Sequence, residues 1–228
     1  MLNMIRLNWL GMKTYHLMLL VVPIGAILIG FIVSEYIIIP LTALLMWSCA
    51  VYPFVVEEKG KLDNLYLTLP VHRKSIVSAR FGLSLFMVLA GIVFGVVLTI
   101  AMPVLFNGPA ILYPRMYQPS LDTILLLISI GLFSYTVMLL CAFPILFKLG
   151  YAKGKIIGFY VPAFGGSIIF VITFQLLINI QFDAAITSTL VWAMTNTLWA
   201  ALIIFAAAAA LFALAYVLSV KAFAKREL

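Results

Sequence analysis

Charge is what this chain has least of. Lys, Arg, Asp and Glu make up 9% of its 228 residues, while 66% are hydrophobic and the mean hydropathy is +1.23. A soluble domain carries about 25% charged and about 45–50% apolar residues. A chain so poor in polar groups cannot cover itself in water, so lipid must be its solvent. The same scarcity excludes chemistry. The two histidines, His16 and His72, have no metal-ligating partner four residues on. The two cysteines, Cys49 and Cys141, fall inside apolar runs and read as small packing residues rather than a disulfide or a metal site. No G-x-S-x-G occurs, and no carboxylate pair faces an identifiable pocket. The run Gly150-Tyr151-Ala152-Lys153-Gly154-Lys155-Ile156 looks like a phosphate-binding loop, but it is one spacer short and lacks the hydroxyl that follows the lysine. No enzyme activity is expected, and no cofactor bound by this chain.

Against that apolar background the spans stand out. A bilayer core about 30 Å thick needs about 20 apolar residues of helix. Six such stretches are expected, at residues 17–33, 37–56, 81–106, 121–147, 156–178 and 196–219, forming a single all-α transmembrane domain over 1–228. Before the first, Leu2, Ile5, Trp9 and Met12 recur at roughly helical spacing, with Asn3, Arg6 and Lys13 on another face. This predicts an amphipathic helix lying in the interface rather than a cleaved signal, the alternative being a frayed start of the first span. Three prolines and Gly108 mark residues 107–120 as a loop, Ser120 is placed to cap the fourth span, and residues 148–155 read as a short basic loop.

The few charges are sorted. With six spans both termini share a face, and of the fourteen Lys/Arg only Arg115 falls on the other one. The positive-inside rule then puts the termini in the cytoplasm and accounts for the net charge of +7 without nucleic acid. No ionisable residue lies well inside a predicted span. Ion-coupled carriers and proton relays usually need one. The polar groups of the spans are hydroxyls such as Thr42, Ser48, Ser84, Thr99, Ser134 and Thr173, together with Gln175 and Asn179, read as interhelical hydrogen bonders. Gly91 and Gly95, and Gly150, Gly154 and Gly158, form small-residue faces for close internal packing of helices, with a dimer seam as the alternative.

One polar island, residues 57–80, interrupts the apolar spans. It holds Glu57, Glu58 and Asp63 with Lys59, Lys61, Arg73, Lys74 and Arg80. Leu62, Leu65, Tyr66 and Leu69 follow i, i+3, i+4, i+7, one face of a helix, and Pro70 interrupts it. A second helix then carries Arg73, Lys74 and Arg80 into the third span, where long basic side chains snorkel toward headgroups. Two readings of the apolar face follow from the pattern: it packs under its own bundle, or it is presented to a cytoplasmic partner.

The run Glu57…Gly60…Leu65…Leu69-Pro70-Val71…Arg73…Ile76-Val77…Arg80 resembles the loop between the second and third spans of ABC-2-type transporter permeases. The interfacial helix, six spans and cytoplasmic termini agree with that family over the whole chain. The resemblance implies a permease subunit of an ATP-driven exporter in the bacterial cytoplasmic membrane. It would pair with a second permease chain, homo- or heteromeric, and with two cytoplasmic ABC ATPase subunits that carry the ATP and Mg. Residues 57–67 would be the coupling helix, with Leu62 and Leu65 at the buried contact and Glu57, Glu58, Lys61, Asp63 and Tyr66 around it. Small size and the lack of a large outer domain are similar to exporters of amphipathic peptides, such as the phenol-soluble-modulin exporters, so antimicrobial or toxin peptides are the expected cargo, with bacteriocin self-protection and lipid-linked polymer export left open by the resemblance. The competing expectation is a non-transporting membrane scaffold or a peptide-immunity protein, which would need no ATPase.

Overall fold

The computed structural model describes residues 24–25, 38–60, 73–105, 120–165, 192 and 195–225. The interfacial helix, all but two residues of the first span, the loop at 107–119 and most of the fifth span, expected from sequence, lie outside the described residues. Four long helices carry the rest: α1 (Ile38–Lys59), α2 (Arg73–Leu105), α3 (Leu121–Lys155), continued by a π-helical turn (Ile156–Tyr160), and α4 (Thr197–Ala224). Four described helices, Ile38–Lys59, Lys74–Ala101, Leu121–Gly165 and Thr197–Ala224, are long and apolar enough to cross a membrane.

Contacts along their lengths give the directions. The start of α1 meets the far part of α2, where a Cβ on Gly95 would sit 3.0 Å from the Ile39 Cα, and the end of α1 meets the start of α2 through Glu57 and Arg80. These two helices are therefore antiparallel. Gly131 of α3 lies against Pro40, and Phe143 and Phe147 lie against Phe54, so α3 begins parallel to α1. Phe212, Tyr216 and Phe223 of α4 meet Phe81, Ser78 and Phe147, which sets α4 antiparallel to α2.

The largest departure from the sequence reading is at 148–155. The expected eight-residue loop is absent. Helix runs to Gly150, which alone leaves helical geometry (φ 72°, ψ 175°), and helix resumes at once. That corner of backbone space is essentially reserved for glycine. The chain reverses there. A Cβ on Gly158 would lie 3.0 Å from the Leu146 Cγ and 3.4 Å from the Ala142 carbonyl, whereas in one straight helix residues 142 and 158 would stand about 24 Å apart. The second arm lies back on the first through Gly154 and Gly158, both buried. The four-residue glycine spacing thus serves a one-residue helical hairpin.

Lipid gives helices no hydrophobic reason to associate, so close packing must do it. α1 is apolar on every side and is the most enclosed of the four described helices, with α2 and α3 against it. Gly91 and Gly95 make its crossing with α2: a Cβ on Gly91 would meet Met46 Cγ at 2.6 Å and the Thr42 carbonyl at 3.1 Å. The glycine pair is an internal seam, as expected. By contrast Phe86, Leu89, Val93, Val97 and Ile100 of α2 and Leu198, Trp199, Leu202, Ile203 and Phe205 of α4 are exposed. Apolar faces this long suit a bilayer and not water.

The hydroxyls correct the sequence reading. Among the described residues, Thr42, Ser48, Ser84, Thr99 and Ser134 make no bridge between helices. Each donates to a carbonyl three or four residues back in its own helix. Bonds between helices come from elsewhere: Tyr135 Oη donates to the Ser84 carbonyl at 2.8 Å, and Ser78 and Tyr216 pair at 2.9 Å. The expected cap is present, with Ser120 Oγ accepting from the Thr123 amide at 3.3 Å. Cys49 is buried, Cys141 is exposed, and both are free thiols.

Candidate functional site

The charges of the described chain are sorted by end. Lys59, Arg73, Lys74 and Arg80, then Lys148, Lys153 and Lys155 around the hairpin, and Lys221 and Lys225 late in α4, all belong to the end where α1 finishes and α2 starts; Asp122 opens α3 at the other. This charged end is built by the antiparallel alternation itself, which returns the chain to one level at Lys59, Arg73, Gly150 and Lys225.

At its centre is a pair that the sequence did not announce. Glu57 is not in a separate loop helix but on the last turn of α1, which runs on to Lys59 and closes with the Gly60 amide donating to the Val56 carbonyl at 2.8 Å. Its carboxylate accepts a hydrogen bond from Arg80 Nη2 and forms a salt bridge with it. The two side chains are 6% and 2% exposed. Arg80 therefore does not snorkel outward, as its place at the start of a span predicted. It turns inward, because a carboxylate and aromatic faces await it there. Its guanidinium carbon sits 4.1 Å from the Phe54 ring centroid and 5.3 Å from that of Phe147. A planar, weakly hydrated cation suits such a cage better than an ammonium would.

The cage belongs to an aromatic cluster that joins all four helices. Phe54 meets Phe147 at 4.9 Å between centroids, Phe81 meets Phe143 at 5.1 Å and Phe212 at 5.3 Å, and Phe147 meets Phe223 at 5.5 Å. All are edge-on contacts, the arrangement favoured by the ring quadrupoles. These aromatics are interior packing of one chain.

Outside this cluster the charged end is hollowed. A cleft of about 470 Å³ opens between the end of α1, the hairpin turn and the end of α4, lined by Phe54, Glu57, Glu58, Lys148, Tyr151 and Lys225 among others. Glu57 forms part of its wall and Glu58 is exposed beside it. Of the residues expected at a partner-docking site, the structure thus brings Glu57 and Glu58 to the cleft. Lys61, Leu62, Asp63, Leu65 and Tyr66 lie outside the described residues. Sequence reasoning missed Arg80, Phe147, Lys148 and Lys225 as members of this site, since they come from three elements other than α1: α2, α3 and the end of α4. The one available signal was Arg80 itself, a cation set into the first apolar turns of a span. Among the described residues no group of histidine, cysteine or carboxylate side chains could hold a metal ion.

Long apolar helices with lipid-suited outer faces and cations at one end define a multi-pass helical membrane protein. Within that class, residues 3–224 match the model of a family described as ABC-2 family transporter protein, and the chain belongs to that family. It is a permease-type component of an ABC transporter, and membership implies association with an ABC ATPase and with membrane lipid. No curated protein and no solved structure gives a significant match.

Proposed function

We propose that this chain is the permease subunit of an ATP-driven exporter, and that its charged end is where the ATPase delivers its stroke. The observation that carries the reading is the convergence, at one end of an ABC-2 family bundle, of the α1 terminus, the hairpin turn and the α4 terminus around a cleft bearing Glu58, Lys148 and Lys225. Residues 61–67 continue directly from that end. Leu62 and Leu65 enter an apolar groove of a cytoplasmic ATPase, with Glu58, Lys61, Asp63 and Tyr66 around them. Charges at such a rim set orientation and register more than affinity.

Two permease chains form the path and two ATPase subunits bind the ATP and Mg, so this chain itself performs no catalysis and binds no cofactor. The charged end faces the cytoplasm of a bacterial cell. An amphipathic peptide, antimicrobial or toxic, is the cargo class that suits an apolar, aromatic-rich wall. The absence of ionisable groups deep in the predicted spans favours ATP over an ion gradient as the source of work.

The test is co-purification with the ABC ATPase encoded beside it, then ATP hydrolysis with and without this chain. A stable complex with altered hydrolysis, lost in the L62D/L65D variant while the chain still folds, is the expected result. No complex and no change in hydrolysis would refute the reading in favour of a scaffold or immunity protein.

A further inference from the structure

We infer that the buried Glu57–Arg80 pair is a positioning joint for transport: it makes α1, α2 and the α3 hairpin move as one body when the intervening polar segment is pushed. The inference rests on the docking role proposed above for residues 61–67.

Glu57 and Arg80 bracket that segment in sequence, one on the last turn of α1 and the other on the third turn of α2. Joined, they fix the spacing of its two ends. A displacement of the segment then cannot move α2 without α1. The joint reaches further through the guanidinium, which lies over Phe54 of α1 and Phe147 of α3. Phe147 stands three residues before the Gly150 reversal and contacts Phe223 of α4. Two residues before Arg80, Ser78 pairs with Tyr216 of α4. Arg80 thus connects the entry of α2 to α1 and α3, and Ser78 one half-turn earlier connects it to α4.

Stability does not account for such a pair. Removing two charges from water costs about as much as their attraction returns, and apolar replacements of similar size are often neutral or stabilising. What an ion pair provides that apolar side chains do not is a single bonded geometry. A greasy contact lets helices slide past one another, whereas a carboxylate hydrogen-bonded to guanidinium holds register. The cleft adds a second argument: Glu57 lines it, so a partner element seated there would press on the joint directly.

The experiment uses the full chain co-purified with its ABC ATPase in lipid nanodiscs. E57L/R80M replaces the pair with apolar side chains, and E57R/R80E restores it with reversed polarity. For E57L/R80M the expected result is an intact complex with a melting temperature close to the parent's. The chain's effect on ATP hydrolysis should nevertheless fall about tenfold, a typical size for coupling between separate sites, and E57R/R80E should regain part of it, since the ion pair returns while the Phe54 and Phe147 faces no longer hold a cation. Full coupling in E57L/R80M would overturn the inference. So would loss of folding in both double variants, because the pair would then be a folding requirement. The unmodified chain is the control for the underlying reading. If it neither binds the ATPase nor changes hydrolysis, the permease reading fails and the joint falls with it; normal coupling there with normal coupling in E57L/R80M defeats the joint alone.

Discussion

At the scale of single residues, two side chains and one missing side chain decide the charged end. Arg80 and Glu57 are 23 positions apart, and their neighbours gave different forecasts: a snorkelling cation and a surface carboxylate on a loop helix. Both are buried and bonded to each other. Gly150 is the missing side chain. Its φ of 72° with ψ of 175° reverses a helix without any loop. Gly150→Ala should cost about 1–3 kcal/mol, the usual penalty for holding a non-glycine residue in a sparsely populated region. The check is the thermal midpoint of the purified chain in nanodiscs, where an unchanged midpoint would mean that the turn adopts other angles. The glycine spacing 150, 154, 158 was legible in sequence as a packing face, but the role of Gly150 as the turn was not. That depends on the first arm lying under the second, which no local pattern encodes.

At the scale of elements, each seam depends on how near two backbones come. Gly95 faces the Ile39 backbone and the Thr42 side chain, whereas nothing lies within 4 Å of a Cβ placed on Gly165. Gly95→Ala should therefore destabilise the α1–α2 crossing by about 1–3 kcal/mol, as overpacking does, while Gly165→Ala should stay within about 0.5 kcal/mol of the parent. Equal melting temperatures for the two variants would contradict the seam. The prolines inside α1 and α3, Pro53 and Pro144, do not end their helices. Neighbouring helices and local adjustment satisfy the carbonyls that proline frees inside a membrane. The hydroxyls were misread at this scale for a simple reason. A serine or threonine on a helix always has its own preceding turn within reach, and a partner helix only if the crossing brings one.

At the scale of the whole molecule, the alternation of helix direction gathers the described cations at one end. If that end faces the cytoplasm, single-cysteine variants at Lys153 and Lys225, made in a chain with Cys49 and Cys141 replaced by Ser and Ala, should react with a membrane-impermeant maleimide only after the cell is opened. A cysteine at Asp122 should react in intact spheroplasts. The opposite pattern would invert the topology and remove the cytoplasmic ATPase from the charged end. The ABC-2 resemblance seen in residues 57–80 agrees with the family match over 3–224.

Sequence alone determined what depends on composition and order: a lipid-solvated helical chain, the apolar runs that the four described helices occupy, and the gathering of their cations at one end. These follow from transfer between water and lipid, which acts on each segment separately. It also placed the Ser120 cap and the glycine seams, because both are short-range patterns. Tertiary structure decided the rest: the one-residue hairpin, the inward turn of Arg80, the aromatic cluster around it and the cleft beyond. Each requires side chains from three or four helices to meet. Whether a charge seeks headgroups or a buried partner is set by which partner the fold brings within bonding distance.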